Sequence, residues 1–548
     1  MTLAPSPPDP SAAIREDPCA IREACSPTPQ QGARLLQEAR LWEQRAMHED
    51  NVPAAMRAWS RCAANAWLAM GTTQAATGKE AAILSTQCAD RFLVLALQQS
   101  HEWSAGPMRI DGVEIEVEFR GLSTNLGGPL MLTRAQDVPM DMLDGQRYAG
   151  PGFGVPLALL APRCADRATC RLFPPEGIFR WATAWIENDP SRGKDSARLV
   201  IADPVQTGPL SVGGRRYALA LDTSAFLAHG AGTSKLKRLG IWGLLGGDEV
   251  GKRAGVYLLE DYDPAKRPLV MIHGLGSSPL AWAKLSNAVW GDPRLRQRFQ
   301  IWHVVYQTNA PLLVTRRRVK GYLDEAWRLL DIEGDDDARN GMVLVGHSLG
   351  GVVSRMLCVD SGEVLWNAAF TVPLQALEGS GDDLQVVDGV FHFEHYPGVS
   401  RAIFLAAPHR GSPGADAWFG RLMRTLVGRR ASEMQSLKRI ARDNPLAVRE
   451  ELRAAYQQAD LNSITTLQAS QPVRRAGETL MPAAGISYHV ISGVLPHRFP
   501  ETDGAVPLAS TLLSGAESTL QVASGHDLYN NDEAIGEVLR ILREDGRP

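Results

Sequence analysis

The C-terminal part of this 548-residue chain predicts an α/β fold, a mostly parallel sheet flanked by helices. Three features predict it. Six short apolar runs, Leu269–Ile272, Ile301–Val305, Met342–Val345, Ala402–Ala406, Tyr488–Ile491 and Leu520–Val522, are nearly continuous rather than alternating, which suits strands buried on both faces. Amphipathic helical segments separate them, as in a sheet built by crossovers. One run, Met342–Val345, leads directly into Gly346-His347-Ser348-Leu349-Gly350 and then an apolar helix.

The chain ahead of this region divides by pattern. Residues 1–30 are rich in Pro, Ser and charge and are expected to be loosely attached. Residues 31–105 carry helical stripes (Leu35, Ala39, Trp42, Ala46, then Met56, Trp59, Ala63, Ala66, Met70) and are expected to form a helical bundle. Residues 106–250 change period: Val113–Phe119 alternates apolar and acidic residues, as a half-buried antiparallel strand does. Further strands are expected at Ala197–Ala202 and Arg216–Leu221, the latter after a Gly213-Gly214 turn. The α/β region then spans 251–548. A helical, charged stretch at about 413–482 interrupts its alternation and is the expected cap over the site.

Bulk properties exclude some classes. A net charge of −4 gives no electrostatic footprint for nucleic acid. The run Arg316-Arg317-Arg318 with Lys320 reads as a solvated helix face. No apolar stretch is long enough to span a bilayer, and the Pro-rich start shows no signal peptide. Taken as given, the chain is cytoplasmic; a truncated start would make it a cell-envelope protein. The seven cysteines leave this open, since Cys19 with Cys25, Cys62 with Cys88 and Cys164 with Cys170 read equally as disulfides or as reduced thiols. Cys358 reads as core.

The chemistry centres on Ser348. A serine hydroxyl becomes a useful nucleophile when a sharp strand-to-helix turn exposes it beside a base, and Gly346 and Gly350 leave room for that turn. Acyl transfer also needs two backbone N–H groups aimed at the developing oxyanion. Leu349 follows the nucleophile, and Leu275 lies in His273-Gly274-Leu275-Gly276 after an early strand; both are expected donors. The order serine, acid, histidine then selects Asp503 in Thr502-Asp503-Gly504 and His526 in Ser524-Gly525-His526, each past a predicted strand. His273 and His347 are read as structural supports, while His392, His395, His409 and His497 lack a suitable acid in chain order. Glu501 and Asp527 are the rivals of Asp503. No spacing indicates a metal, and no cofactor is expected.

These segments resemble bacterial lipases and esterases of the α/β-hydrolase superfamily, most of all a group of large proteobacterial proteins with a helical N-terminal extension. The resemblance rests on Tyr257–Pro264, His273–Pro279, Met342–Gly351, Ala407–Ser412 and Thr502–Pro507, and covers about 255–548. It implies an α/β-hydrolase fold, triad roles for Ser348, Asp503 and His526, and oxyanion roles for Leu275 and Leu349. It also implies a loop at Pro408–Ser412 that braces the site. Ala407 and Ala505 depart from the usual Thr and bulkier β-branched residue. The expected activity is hydrolysis of a small-molecule or lipid ester through an acyl-serine. The same triad could serve a thioesterase or acyltransferase, and a non-catalytic binding protein is the contrasting class. The N-terminal half suggests no particular protein partner.

Overall fold

A computed structural model describes residues 27–188, 197–233, 248–411 and 432–545. Seven strands form the C-terminal sheet. Gly255–Leu258, Phe299–Val305, Arg267–Ile272, Met342–His347, Val399–Leu405, Ser487–Gly493 and Ser518–Val522 lie side by side in that order. Only the first pairing is antiparallel; the rest are parallel. Each of the six apolar runs lies in or overlaps one of these strands. Gly255–Leu258 is the addition, a four-residue edge too short to stand out as a run.

The continuous apolar character has a direct cause. Leu269, Met271, Val343, Val345, Ile403 and Ile491 point into a core with the C-terminal helix Asp532–Glu544. Val270, Ile272, Leu344, Phe404 and Val490 point the other way, into a core with the helices Leu312–Leu330 and Leu349–Met356. Both faces are covered, so neither register can be polar.

The stretch expected to be a cap packs with a second helical piece. Helices Ser432–Asp443, Glu450–Gln458, Ser463–Leu467 and Pro472–Gly477 fall inside the expected stretch; residues 412–431 of it lie outside the described residues. A second piece, Val364–Ala369 and Gly381–Phe391, precedes the Val399 strand and shares one core with the first through Trp366, Phe370, Phe391, Met434 and Tyr456. It passes for an ordinary crossover helix in sequence. The basic run is also corrected: Arg316 is buried, donates to the Glu394 carbonyl (2.7 Å) and lies 3.9 Å from the centre of the Phe393 ring. Arg318 grips Glu433 of the cap through two hydrogen bonds, 2.9 and 2.7 Å. Helix packing, invisible to charge patterning, recruits them.

In the N-terminal half, helices Pro29–Met47, Val52–Met70 and Ala75–Gln99 cover a six-stranded sheet. They pack on one another and also share one core with the sheet, in which Met56, Ala63 and Phe92 lie with Val113, Leu157 and Trp185. Val113–Arg120 is antiparallel to Gly106–Ile110 but parallel to Ala197–Ala202. The expected strand Arg216–Leu221 is broken. Arg215–Tyr217 closes a hairpin with Leu210–Val212 across Gly213 and Gly214, both at positive φ, whereas Leu221–Asp222 pairs with Ala149–Gly150. The opposite sheet face meets the C-terminal α/β region, with Trp181 edge-on to Trp290 (6.1 Å) as well as to Phe226 (5.2 Å) of its own half. No helix among the described residues is long and apolar enough to cross a membrane.

Two cysteine pairs are bonded. Cys62–Cys88 staples the second helix to the third, and Cys164–Cys170 closes a short loop. Cys19 and Cys25 lie outside the described residues; Cys358 is buried and free, as a core residue should be. A cross-link over 26 residues restricts the unfolded chain by about 3 kcal/mol. Replacing Cys62 and Cys88 together by Ala should therefore lower the unfolding free energy by about that amount in non-reducing urea titrations; an unshifted midpoint would show that the staple contributes nothing.

Candidate active site

The strand order reverses between Arg267–Ile272 and Met342–His347: the chain leaves the first for one side of the sheet and returns on the other. Such a switch point opens a crevice at the strands' carboxyl ends. Ser348 stands there, between its strand and the helix Leu349–Met356, with φ 54° and ψ −123°. A non-glycine residue holds that conformation only where surroundings impose it. Here the Ser348 amide donates to the Leu405 carbonyl (2.9 Å). A Cβ at Gly346 would strike the Gly350 carbonyl and Ser354, and one at Gly350 would strike the carbonyls of Ile272 and His273. The elbow and the neighbouring strand end touch backbone to backbone.

The residues selected from sequence converge. Ser348 Oγ lies 2.9 Å from His526 Nε2, and His526 Nδ1 lies 2.7 Å from Asp503 Oδ2. Because a carboxylate accepts, Nδ1 carries the imidazole proton and Nε2 is left to accept from the hydroxyl. Asp503 is itself held: its other oxygen accepts from the amides of Ala505 (2.8 Å) and Val506 (2.7 Å), a turn formed by Asp503-Gly504 with Gly504 at φ 96°. Asp503 is 3% exposed, so its charge faces the imidazole rather than water. Neither rival acid takes this place. Asp527 accepts from Tyr529 (3.0 Å), and Glu501 is exposed.

The loop His273-Gly274-Leu275 borders the same crevice. A Cβ on Gly274 would come within 2.9 Å of His347 Nδ1 and 3.0 Å of Ser348 Cβ. Leu349 begins the elbow helix, where the first amides have no intrahelical acceptor. The amides of Leu275 and Leu349 are thus both on the Ser348 side of the crevice, uncommitted to other groups among the described residues. His273 is positioned by its carbonyl, which accepts from Tyr306 (2.6 Å), and by stacking on that ring at 4.7 Å. Tyr306 and the paired amides of Ala505 and Val506 escaped the sequence reading; only the Asp-Gly turn carried a signal.

His347 and His273 are the two histidines expected as supports. His347 donates from Nε2 to the backbone carbonyl of His526 (2.8 Å), tying the elbow to the loop that bears His526. Burial, aided by the nearby His526, brings the His347 pKa down to about 3, and burial brings His273 to about 4. His392 and His395 pair instead with Asp388 and Asp360, away from this line. His409 is buried in the brace loop.

Residues 269–540 match the model of the Alpha/beta hydrolase family. Solved structures similar to the chain include the mature lipase BlEst2 of Bacillus licheniformis, 16% identical, covering 52% of this chain and 94% of that one at a TM-score of 0.28. Lipase 1 of Pelosinus fermentans is 13% identical over 52% of this chain and 99% of its own, TM-score 0.29. The thioesterase domain of the curacin biosynthetic pathway is 12% identical over 51% and 92%, TM-score 0.25. No curated protein matches the chain.

The buried neutral histidines impose a pH dependence. His273, His303 and His347 titrate near 4, 3 and 3 when folded and near 6.5 when unfolded. Between those values the unfolded chain binds more protons, so stability is full above about pH 6.5 and falls as pH drops toward 4. Each contributes about 1.4 kcal/mol per pH unit in that window. The urea midpoint should fall clearly from pH 7.5 to pH 5; a flat profile would contradict neutral burial.

Proposed function

The chain belongs, through residues 269–540, to the alpha/beta hydrolase family, and on that premise we propose that it is a serine hydrolase that cleaves carboxylic esters. One observation carries the reading: the unbroken hydrogen-bonded line from Ser348 through His526 to the buried Asp503. In the proposed reaction His526 takes the Ser348 proton as Oγ attacks the ester carbonyl. The amides of Leu275 and Leu349 receive the oxyanion, and the imidazolium, stabilised by Asp503, returns the proton to the departing alcohol. Water, activated by the same imidazole, then releases the acid and regenerates Ser348. The site's own groups complete this cycle, and no cofactor is called on. The two disulfides favour work in an oxidising compartment, hence the cell envelope over the cytoplasm.

A fluorophosphonate probe should label the wild-type chain and leave Ser348→Ala unlabelled, with p-nitrophenyl esters from acetate to palmitate hydrolysed by the first alone. A folded wild type that neither labels nor hydrolyses would sink the reading and favour a binding protein. Asp503→Asn keeps the shape but supplies an NH2 group where Nδ1–H needs an acceptor. It should lower kcat by about 10⁴-fold with little change in KM; a loss below tenfold would remove Asp503 from its role.

A further inference from the structure

The cap and the elbow helix enclose an apolar pocket, lined by Leu313, Val352, Met356, Val390, Leu437 and Val473 among others. Ser348 is not in its lining, but Val352 lies four residues beyond, about 6 Å along the helix. The pocket wall thus begins about one helical turn from Ser348.

Most polar groups that reach the pocket are already engaged. Arg355 donates to the Gly477 carbonyl (2.7 Å) and Arg474 to those of Gln468 (2.9 Å) and Ala469 (2.6 Å), with Glu478 2.7 Å from its remaining amino group. Thr466 donates to Asn462 (2.8 Å), and Gln471 accepts from the Arg474 amide (2.6 Å). His409 differs. Its residue is 2% exposed, it lines the pocket, and neither ring nitrogen has a hydrogen-bond partner among the described residues. Its nearest ring neighbour, Phe404, offers an edge at 4.9 Å. A buried donor and acceptor left unmade are costly, and such a group calls for a ligand that pairs with it.

The chemistry of that ligand follows from the state of the ring. Burial, with Arg355 and Arg410 nearby, holds the imidazole well below its ordinary range, so it presents one N–H and one bare nitrogen. A hydroxyl suits either, because it accepts from the first or donates to the second. A carboxylate would enter a dry pocket where Arg474 is already paired with Glu478 and Arg355 already donates to backbone carbonyls, and a plain alkyl chain would leave the ring unsatisfied.

Resting on the acyl-serine reading above, we propose that this pocket receives the acyl chain and that His409 anchors a hydroxyl on it, making esters of hydroxy fatty acids the preferred substrates. His409 is then a specificity residue, outside the chemical step.

The test compares methyl octanoate with methyl 3-, 6- and 8-hydroxyoctanoate. With the wild type at least one hydroxy ester should exceed the plain ester in kcat/KM by about tenfold, the worth of one buried hydrogen bond. His409→Leu should bring that ratio toward one, and His409→Gln, which keeps a donor and an acceptor, should restore part of it. Calorimetry of the same esters with Ser348→Ala should show the same order of affinity without turnover. Equal kcat/KM and equal affinity across the series would overturn the proposal and leave water as the partner of His409; a preference that survives in His409→Leu would overturn it too. If the His409 variants do not fold, the wild-type and Ser348→Ala comparisons still decide. Tighter binding of a hydroxy ester to Ser348→Ala, with no ester cleaved by wild type, would keep the pocket and discard the hydrolase.

Discussion

Backbone contact between two strand ends governs this site. Gly350 sits where any side chain would overlap the carbonyls of Ile272 and His273, and Gly274 sits against His347 and Ser348. Only hydrogen fits at those points, so the elbow and the loop after Arg267–Ile272 close to van der Waals distance. That closeness brings the Leu275 and Leu349 amides to one crevice. It also gives Ser348 the surroundings that hold its positive φ. A looser seam would leave a serine on a turn and two amides with nothing in common.

The other half of the site depends on register. Ser487–Gly493 pairs with Ser518–Val522 from His489 opposite Ser518 to Gly493 opposite Val522, so both strands end at the same edge. Their loops deliver Asp503 and His526 together. Gly493 has little room for a side chain, with Asp503 Cβ, Ser524 and Gly525 around it. Three ties then limit where the imidazole can go: Asp503 on Nδ1, Ser348 on Nε2, and His347 on the backbone carbonyl of His526. A neutral His347 suits this, since a second positive ring beside His526 would oppose the imidazolium that the proposed reaction needs.

The outer parts are fastened to this frame by polar and aromatic contacts. Arg318 holds Glu433, and Arg355 reaches from the elbow helix to the carbonyls of Gly477 and Glu478, so both ends of the described cap are tied to the sheet's own helices. Arginine serves here because its fork satisfies several acceptors while its stem packs in an apolar wall. On the opposite side, the tryptophans Trp181 and Trp290 join the N-terminal sheet to the C-terminal α/β region.

Several features were legible in the chain itself because their causes are local. Continuous apolar runs mark strands covered on both faces, Gly346-His347-Ser348-Leu349-Gly350 marks a turn that only small flanks permit, and chain order selects Asp503 and His526. Tertiary structure alone decided the rest, since it depends on residues far apart meeting. The second cap piece shows its role only against Met434 and Tyr456, the N-terminal helices need the Val113 sheet face to bury their stripes, and Arg316 is a core residue only because Phe393 and Glu394 fold over it. The unpaired ring of His409 belongs to the same class. A sequence shows which groups a histidine has, but whether they find partners is settled when the chain closes around them.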